Sequence, residues 1–156
     1  MLLQQIIRVP LSKVRSREPV RVGPDARLGD VVLRMNEART GAALVIDPQS
    51  GKLTGIFTEH DLLRRVDLGT NAWRDQRVSS VMTSGPDVIG EDDSIAEALR
   101  RMEAGRYRHL PVVRGEDPVA VVSVRDLLAY LATVFPGHFI NLPPDPDKEA
   151  HAPWGG

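Results

Sequence analysis

The chain has 156 residues, of which 42% are hydrophobic and 26% are charged, and its formal net charge is −1. This length fits one compact domain or two small, interdependent ones. The balanced charge argues against nucleic-acid binding through bulk positive charge. The absence of cysteine excludes disulfides, thiol nucleophiles and thiolate zinc sites. Without an apolar run of roughly 20 residues or a signal-peptide pattern, we expect a soluble cytoplasmic protein that binds neither membrane nor nucleic acid.

The first half of the chain predicts the element order β-α-β-β-α. An extended segment is expected at residues 19–22, and two buried strands are expected at 43–46 and 53–57. A helix between them is predicted by apolar residues at the i, i+3, i+4, i+7 spacing of one buried face, and a second helix is expected at 58–66. The apolar positions of the first helix are Leu28, Val31, Val32 and Met35.

The second half predicts the same order after a polar linker. The expected strands lie at 87–89, 110–113 and 119–122, and the last helix lies at 123–134. Ser94 and Glu97 form a capping-box pattern before the helix whose apolar positions are Ile95, Ala98, Leu99 and Met102. From Pro136 onward, repeated proline predicts an irregular tail that adds little to any binding site.

The two halves are copies of each other. At a shift of 67 residues, which moves Pro19 onto Pro86, an ordered series of identical residues runs through both helices. After two residues drop out, GIFTEHDLL at 55–63 falls on AVVSVRDLL at 120–128. Each copy has about 50 residues, which is too few to bury a core alone. The sequence therefore predicts two tandem copies packed face to face.

A hydroxyl and a carboxylate stand where each copy's last strand meets its last helix. Thr58 with Asp61, and Ser123 with Asp126, place the hydroxyl at the N-cap and the carboxylate at the third helical position. There they satisfy free backbone N–H groups at the positive end of the helix dipole. Both pairs are predicted to be helix caps, and a carboxylate that also faces a cleft can accept hydrogen bonds from ribose hydroxyls.

These motifs resemble a pair of CBS domains, the Bateman module. The motif Gly/Ala-x-x-Thr/Ser-x-x-Asp stands as GIFTEHD at 55–61 and AVVSVRD at 120–126, and HLPVV at 109–113 precedes the second of these motifs. The resemblance implies an α/β (α+β) fold of two β-α-β-β-α repeats related by a pseudo-two-fold axis. It divides the chain into repeat 1 (11–66), a linker (67–77), repeat 2 (78–134) and a tail (135–156).

The resemblance also implies a function. Such modules leave two clefts between the repeats that commonly hold adenine nucleotides. We therefore expect a stand-alone regulatory module that senses AMP, ADP or ATP, modulates an effector protein, needs no cofactor and has no enzymatic activity. A homodimer is expected too, because the last helix is richer in apolar residues than one buried face requires. These residues are Leu127, Leu128, Leu131 and Val134.

Individual site residues follow from the same resemblance. Asp61 and Asp126 would hold ribose, with Thr58 and Ser123 beside the sugar. Arg108 and His109 would hold phosphates of the nucleotide bound at Asp61, since Arg offers a bidentate fork and His a single donor. Further expected contacts are Val22 and Val88 to adenine, Thr83 to the purine edge, and Tyr107, His60 and Arg125 near the phosphates.

The two clefts are expected to differ. The stretch of the first copy that corresponds to Arg108 and His109 is nearly uncharged, so the Asp61 cleft looks better equipped for phosphate than the Asp126 cleft. Two other hypotheses remain open: a ligand-free dimerisation or docking module, and a binder of S-adenosylmethionine or a similar adenosyl ligand. The spacing of the four histidines supports no metal site, and no nucleophile elbow or phosphate-binding glycine loop supports catalysis.

Overall fold

The computed structural model describes residues 4–5, 8–14 and 16–139. The predicted tandem order is confirmed, and each predicted element is present within a few residues of its expected bounds. The strands are β1 (Val20–Val22), β2 (Ala42–Ile46), β3 (Leu53–Thr58), β4 (Thr83–Ser84), β5 (Ile89–Gly90), β6 (His109–Arg114) and β7 (Asp117–Ser123). The helices are α1 (Leu28–Ala38), α2 (Glu59–Arg65), α3 (Ile95–Gly105), α4 (Val124–Val134) and α5 (Pro136–Phe139), and 3-10 turns lie at Leu11–Lys13, Asn71–Asp75 and Val78–Ser80.

Two small sheets carry the internal duplication. The first sheet has the order β1-β2-β3-β4 and the second has the order β5-β6-β7. In each sheet the first two strands are parallel and the remaining pairs are antiparallel. The register of the central hairpin shifts after Val45 in one sheet and after Val112 in the other, and these residues are related by the 67-residue repeat. The copies therefore share local irregularities as well as element order.

The first helix of each repeat also ends in the same way. Arg39 after α1 and Arg106 after α3 adopt left-handed backbone angles, with φ of 51° and 55°. This conformation lets the backbone N–H bond back to carbonyls of the last helical turn and stops the helix. The starts differ, because Ser94 caps α3 whereas Arg27 provides no side-chain cap for α1.

The segment that leads into each repeat packs on the other repeat. Leu11 and Val14 are buried in the core of the second repeat, whereas Val78 and Val81 are buried in the core of the first. Backbone hydrogen bonds fix both exchanges: Leu11 N–H donates to the Asp93 carbonyl at 2.9 Å, and Val78 N–H donates to the Ala26 carbonyl at 2.9 Å. We call residues 8–14 and 77–84 the lead-in segments. Their exchange makes each core depend on both halves of the chain.

The linker is more ordered than its polar composition indicated. Asn71–Asp75 form a 3-10 turn that places Trp73 against the core of the first repeat. The Gln76 carbonyl then accepts a hydrogen bond from Leu28 N–H at 2.8 Å, at the start of α1. The isolated tryptophan was the sequence signal for this contact, because a large apolar ring gains from burial.

The prediction of an irregular tail was wrong for its first residues. Pro136–Phe139 form the short helix α5, and proline is well tolerated at the first position of a helix because its missing N–H has no partner there. Residues 140–156 lie outside the described part of the chain. None of the described helices has the length and apolar character needed to cross a bilayer.

The two repeats meet through the outer faces of their sheets. Ala42, Leu44 and Ile56 form a small apolar cluster against which Val121 of β7 packs. At the margin of this contact, Lys52 of the first repeat pairs with Glu116 of the second at 3.6 Å. This apposition brings the ends of β3 and β7, with the helices that follow them, to the junction between the repeats.

Candidate functional site

The predicted cap at the start of α2 is confirmed. Asp61 N–H donates to Thr58 Oγ1 at 3.3 Å, and Asp61 Oδ2 accepts from Thr58 N–H at 3.0 Å and from the Thr58 hydroxyl at 3.1 Å. The other carboxylate oxygen, Oδ1, lies 3.5 Å from Nε of Arg65. Asp61 is only 5% exposed. Both of its oxygens therefore already have partners within the chain.

The cap at the start of α4 is also confirmed, but its carboxylate is more open. Asp126 N–H donates to Ser123 Oγ at 3.1 Å, and Asp126 Oδ2 accepts from Ser123 N–H at 2.9 Å. Asp126 is half-buried and forms no ion pair within the residues that the structure describes. The two carboxylates thus share a local geometry but differ in how much of each is left for a ligand.

His109 lies between the repeats and next to both helix starts. Its β6 position pairs with Ser123, and its ring contacts the first repeat, where a Cβ on Gly41 would lie 3.0 Å from His109 Nε2. The same point on Gly41 lies 3.4 Å from the carboxyl carbon of Glu59, the first residue of α2. Because Gly41 has no side chain, the second repeat's imidazole can reach the amino-terminal end of α2.

Burial sets the protonation of this imidazole. It lowers the pKa of His109 below its ordinary value; the nearby carboxylates of Glu59 and Asp126 oppose the shift, and the guanidinium of Arg108 adds to it. At neutral pH the ring is therefore mainly uncharged and offers one N–H donor rather than a cation. The structure brings His109 to the expected cleft, in a form that hydrogen-bonds rather than neutralises charge.

Three of the side chains expected near the phosphates lie on the surface. Arg108 is exposed and forms no hydrogen bond or ion pair among the described residues, although its carbonyl accepts from Val124 N–H at 3.1 Å. His60 and Arg125 are likewise exposed, each in the first turn of its helix. Arg108 is thus a cation next to His109 whose side chain has no partner within the described part of the chain.

Tyr107 lies apart from that group. Its hydroxyl donates to Asp87 Oδ2 at 2.5 Å, and its ring packs on the core of the second repeat. Burial, together with Asp87, raises the pKa of Tyr107 to about 12. This side chain therefore has a structural partner within its own repeat.

Of the three residues expected near the base, one lies in the core and two are half-buried. Val22 is buried in the first core, and Val88 is half-buried with its carbonyl accepting from Arg101 at 2.5 Å. Thr83 is half-buried in β4, opposite Ile56.

Sequence reasoning missed two features of the site. Arg65 contacts Asp61, and its Nη1 donates to the Met82 carbonyl at 2.9 Å; the i, i+4 spacing of Asp61 and Arg65 was the available signal for the first contact. The exchanged lead-ins were also missed, although LSKV at 11–14 and VSSV at 78–81 align at the same 67-residue shift. Within the described residues, no group of three or more acidic or histidine side chains has the arrangement of a metal site.

Solved structures resemble this arrangement. A CBS-domain containing protein from Agrobacterium tumefaciens is 30% identical, with a TM-score of 0.68, over 76% of this chain and 88% of that one. A CBS domain protein from Pyrobaculum aerophilum, complexed with AMP, is 26% identical, with a TM-score of 0.67, over 80% of this chain and 99% of that one.

Sequence comparison gives the same relationship. A CBS domain-containing protein from Arabidopsis thaliana is 34% identical over 126 residues, which cover 79% of this chain and 23% of the relative. The chain thus spans about a quarter of the length of that relative. Residues 11–68 and 78–133 both match the family model of the CBS domain. The chain therefore belongs to the CBS domain family and carries two tandem copies of that domain.

Proposed function

We propose that this CBS pair is a regulatory module that binds an adenine nucleotide at the junction of its repeats. The observation that carries the proposal is the position of His109. Its ring lies against Gly41 and beside Glu59 of the first repeat, while its strand partner is Ser123 of the second. Two capped helix starts therefore converge on one uncharged donor, and helix starts favour anionic groups.

Each part of the nucleotide has a matching group. A carboxylate at the third helical position can accept hydrogen bonds from both ribose hydroxyls, which assigns that role to Asp61 or Asp126 with Thr58 or Ser123 beside it. Arg108 would hold phosphate, because its guanidinium is exposed and unpaired among the described residues. His109 would add one neutral hydrogen bond. The remaining proposed contacts are Val22, Val88 and Thr83 to the base, and His60, Arg125 and Tyr107 at the margin.

The proposal includes a homodimer and an effector protein. Leu63 of α2 and Leu128 of α4 occupy equivalent places in the two repeats, and they are 73% and 48% exposed. Paired exposed leucines on helices that end both repeats suit a protein interface better than a solvated surface. The AMP in the Pyrobaculum aerophilum structure belongs to that protein, and binding of AMP by the present chain is part of our proposal.

A thermal-shift panel tests the function. AMP, ADP and ATP should raise the melting temperature of the chain in a concentration-dependent way, because a ligand that binds only the folded state stabilises it by about 2.7 kcal/mol at a hundredfold excess over its Kd. Adenosine should act more weakly, since it lacks the phosphate that Arg108 would hold.

The controls separate the alternatives. GMP and GTP test base selectivity, and S-adenosylmethionine tests the adenosyl alternative. A shift with S-adenosylmethionine alone would reassign the ligand. No shift with any compound, together with no heat in calorimetric titrations of AMP and ATP, would favour a ligand-free docking module.

A further inference from the structure

We infer that this chain takes an adenine nucleotide only in the Asp126 cleft, because Arg65 closes the Asp61 cleft from within. The inference rests on the proposed function and adds which cleft is used and which residue decides it. It reverses the preference expected from the distribution of charge along the sequence. Four contacts of the first repeat carry it, together with the more open surroundings of Asp126 among the residues that the structure describes.

Arg65 occupies the carboxylate that would hold the ribose. Its Nε lies 3.5 Å from Asp61 Oδ1, and Asp61 Oδ2 is taken by the backbone and hydroxyl of Thr58. A ribose hydroxyl would have to displace a guanidinium from a carboxylate that is 5% exposed. A hydroxyl bound to this carboxylate would also form a charge-assisted hydrogen bond, but only the guanidinium adds the attraction of a full positive charge.

Arg65 also bonds to the backbone on the opposite side of the Asp61 cleft. Its Nη1 donates to the carbonyl of Met82 at 2.9 Å and lies 3.5 Å from that of Val81. These carbonyls belong to the lead-in segment that would face the purine edge. One side chain therefore joins the ribose-binding carboxylate to the base-reading backbone, across the space that a nucleoside would enter.

Pairing of β4 with β3 and the thioether of Met82 also narrow the Asp61 cleft. Just beyond Met82, β4 pairs with β3 through Thr83 opposite Ile56 and Ser84 opposite Gly55. The Met82 sulfur packs so closely on Gly55 that a Cβ there would overlap it. The lead-in segment thus lies directly on β3.

Two of these contacts, the ion pair and the strand pairing, have no counterpart among the described residues of the second repeat. Residue 15, the counterpart of Met82, lies outside the described part of the chain. Tyr130 stands in place of Arg65, and Asp126 has no ion pair within the described part of the chain. Ser16 stands in place of Thr83 and is not in a strand. A cavity of about 250 Å³ borders Ser16 and, on β7, Ala120 and Val122; neither Asp126 nor Ser123 lines it.

Calorimetric titration of the full chain with AMP, and separately with ATP, tests the inference. The wild-type chain should bind one nucleotide per chain, and Asp126→Ala should weaken that binding at least about tenfold, as expected for a lost charged hydrogen bond. Arg65→Ala should raise the number of nucleotides per chain from one to two. The double variant Arg65→Ala, Asp126→Ala should keep one, now at Asp61.

Two further variants serve as a second test and as a control. If Arg65→Ala folds poorly, Arg65→Gln provides a second test. It removes the charge that pairs with Asp61 but keeps a hydrogen-bond donor for the Met82 carbonyl, and it should also raise the number of bound nucleotides from one to two. Arg64→Gln, at an exposed neighbouring arginine without an ion pair among the described residues, should leave the wild-type stoichiometry of one.

The outcomes separate this inference from the proposed function. Two nucleotides bound by the wild type, or unchanged binding in Asp126→Ala, would overturn the inference and leave nucleotide binding intact. Weaker binding in Arg65→Ala would also overturn it, because Arg65 would then be a ligand contact. No binding of either nucleotide by the wild type and by Arg65→Ala would overturn both.

Discussion

At the scale of single residues, the junction between the repeats depends on the side chain of His109 and on the absence of a side chain at Gly41. His109 reaches the first repeat because Gly41 leaves room for its ring. The ring is held uncharged by burial, although the carboxylates of Glu59 and Asp126 lie near it. A half-buried imidazole whose neighbours include two acids and Arg108 couples the junction to pH.

We predict that acidification weakens the fold through His109. Its pKa is lowered in the folded state, so the unfolded chain binds the proton more readily. The stability that the neutral imidazole gives the folded chain is fully present above the ordinary pKa of 6.5. It is lost as pH falls towards the lowered pKa of the folded state. Urea unfolding between pH 7.5 and 5 should show a smaller loss of unfolding free energy in His109→Gln than in the wild type. Equal pH dependence in the two chains would contradict this.

The residue scale is also where sequence reasoning reached its limit. The caps of Thr58 and Ser123 were predictable because they depend on residues three apart in the chain. The contact of Arg65 with the Met82 carbonyl was not predictable, because it depends on how the second lead-in crosses the first repeat. Charge along the sequence favoured the Asp61 cleft, whereas the packing around Asp61 leaves little of that carboxylate for a ligand.

At the scale of elements, α3 is fixed at both ends. Ser94 Oγ accepts from Glu97 N–H at 3.2 Å, but the Glu97 carboxylate bonds to Arg100 and Arg101 instead of completing the predicted capping box. Two guanidiniums on the same face outcompete one backbone N–H for this carboxylate. At the other end, Gly105 admits the ring of Tyr107 so closely that a Cβ would overlap it.

We predict that Gly105→Ala destabilises the chain. Overpacking costs about 1–3 kcal/mol, which exceeds the gain of up to about 1 kcal/mol from replacing glycine by alanine in a helix. The net loss should appear as a lower urea midpoint with an unchanged slope. Gly23→Ala is the matched control, because a Cβ on Gly23 would meet nothing within 4 Å. Equal midpoints for the two variants would show that Tyr107 moves aside without cost.

The order of the elements was predictable from the sequence, but which elements pack on each other was only partly predictable. Helical spacing and short apolar runs identified both β-α-β-β-α copies, since these patterns are local. The exchange of lead-ins rests on Leu11 and Val78, each buried far from its own copy. Burial of that kind is decided by the packing of whole repeats, and a local pattern cannot specify it.

At the scale of the whole molecule, the helices that end the two repeats carry similar exposed leucines. Leu63 and Leu128 correspond to each other in the duplication, and neither is covered within the described chain. Leu127 and Leu131, by contrast, face the core of the second repeat. The duplicated outer face is the surface on which we expect a second copy to pack.

We predict that Leu63→Glu combined with Leu128→Glu gives a monomer at micromolar concentration. A buried carboxylate without a partner is strongly unfavourable, so each substitution should oppose association. Sedimentation velocity should show a dimer for the wild type and a monomer for the double variant. Arg34→Glu, on α1, is the control for added charge. A monomeric wild type, or a dimeric double variant, would contradict the proposed interface.

The exchanged lead-ins have a consequence for how the chain folds during synthesis. The amino end leaves the ribosome first, but Leu11 has no binding site until Ile89 and Asp93 have emerged and folded. The first sheet likewise waits for β4 before its edge is covered. The first core can close once residues 78–84 have emerged, whereas the second core waits for α4. The boundaries of the folding units therefore do not coincide with the boundaries of the two sequence copies.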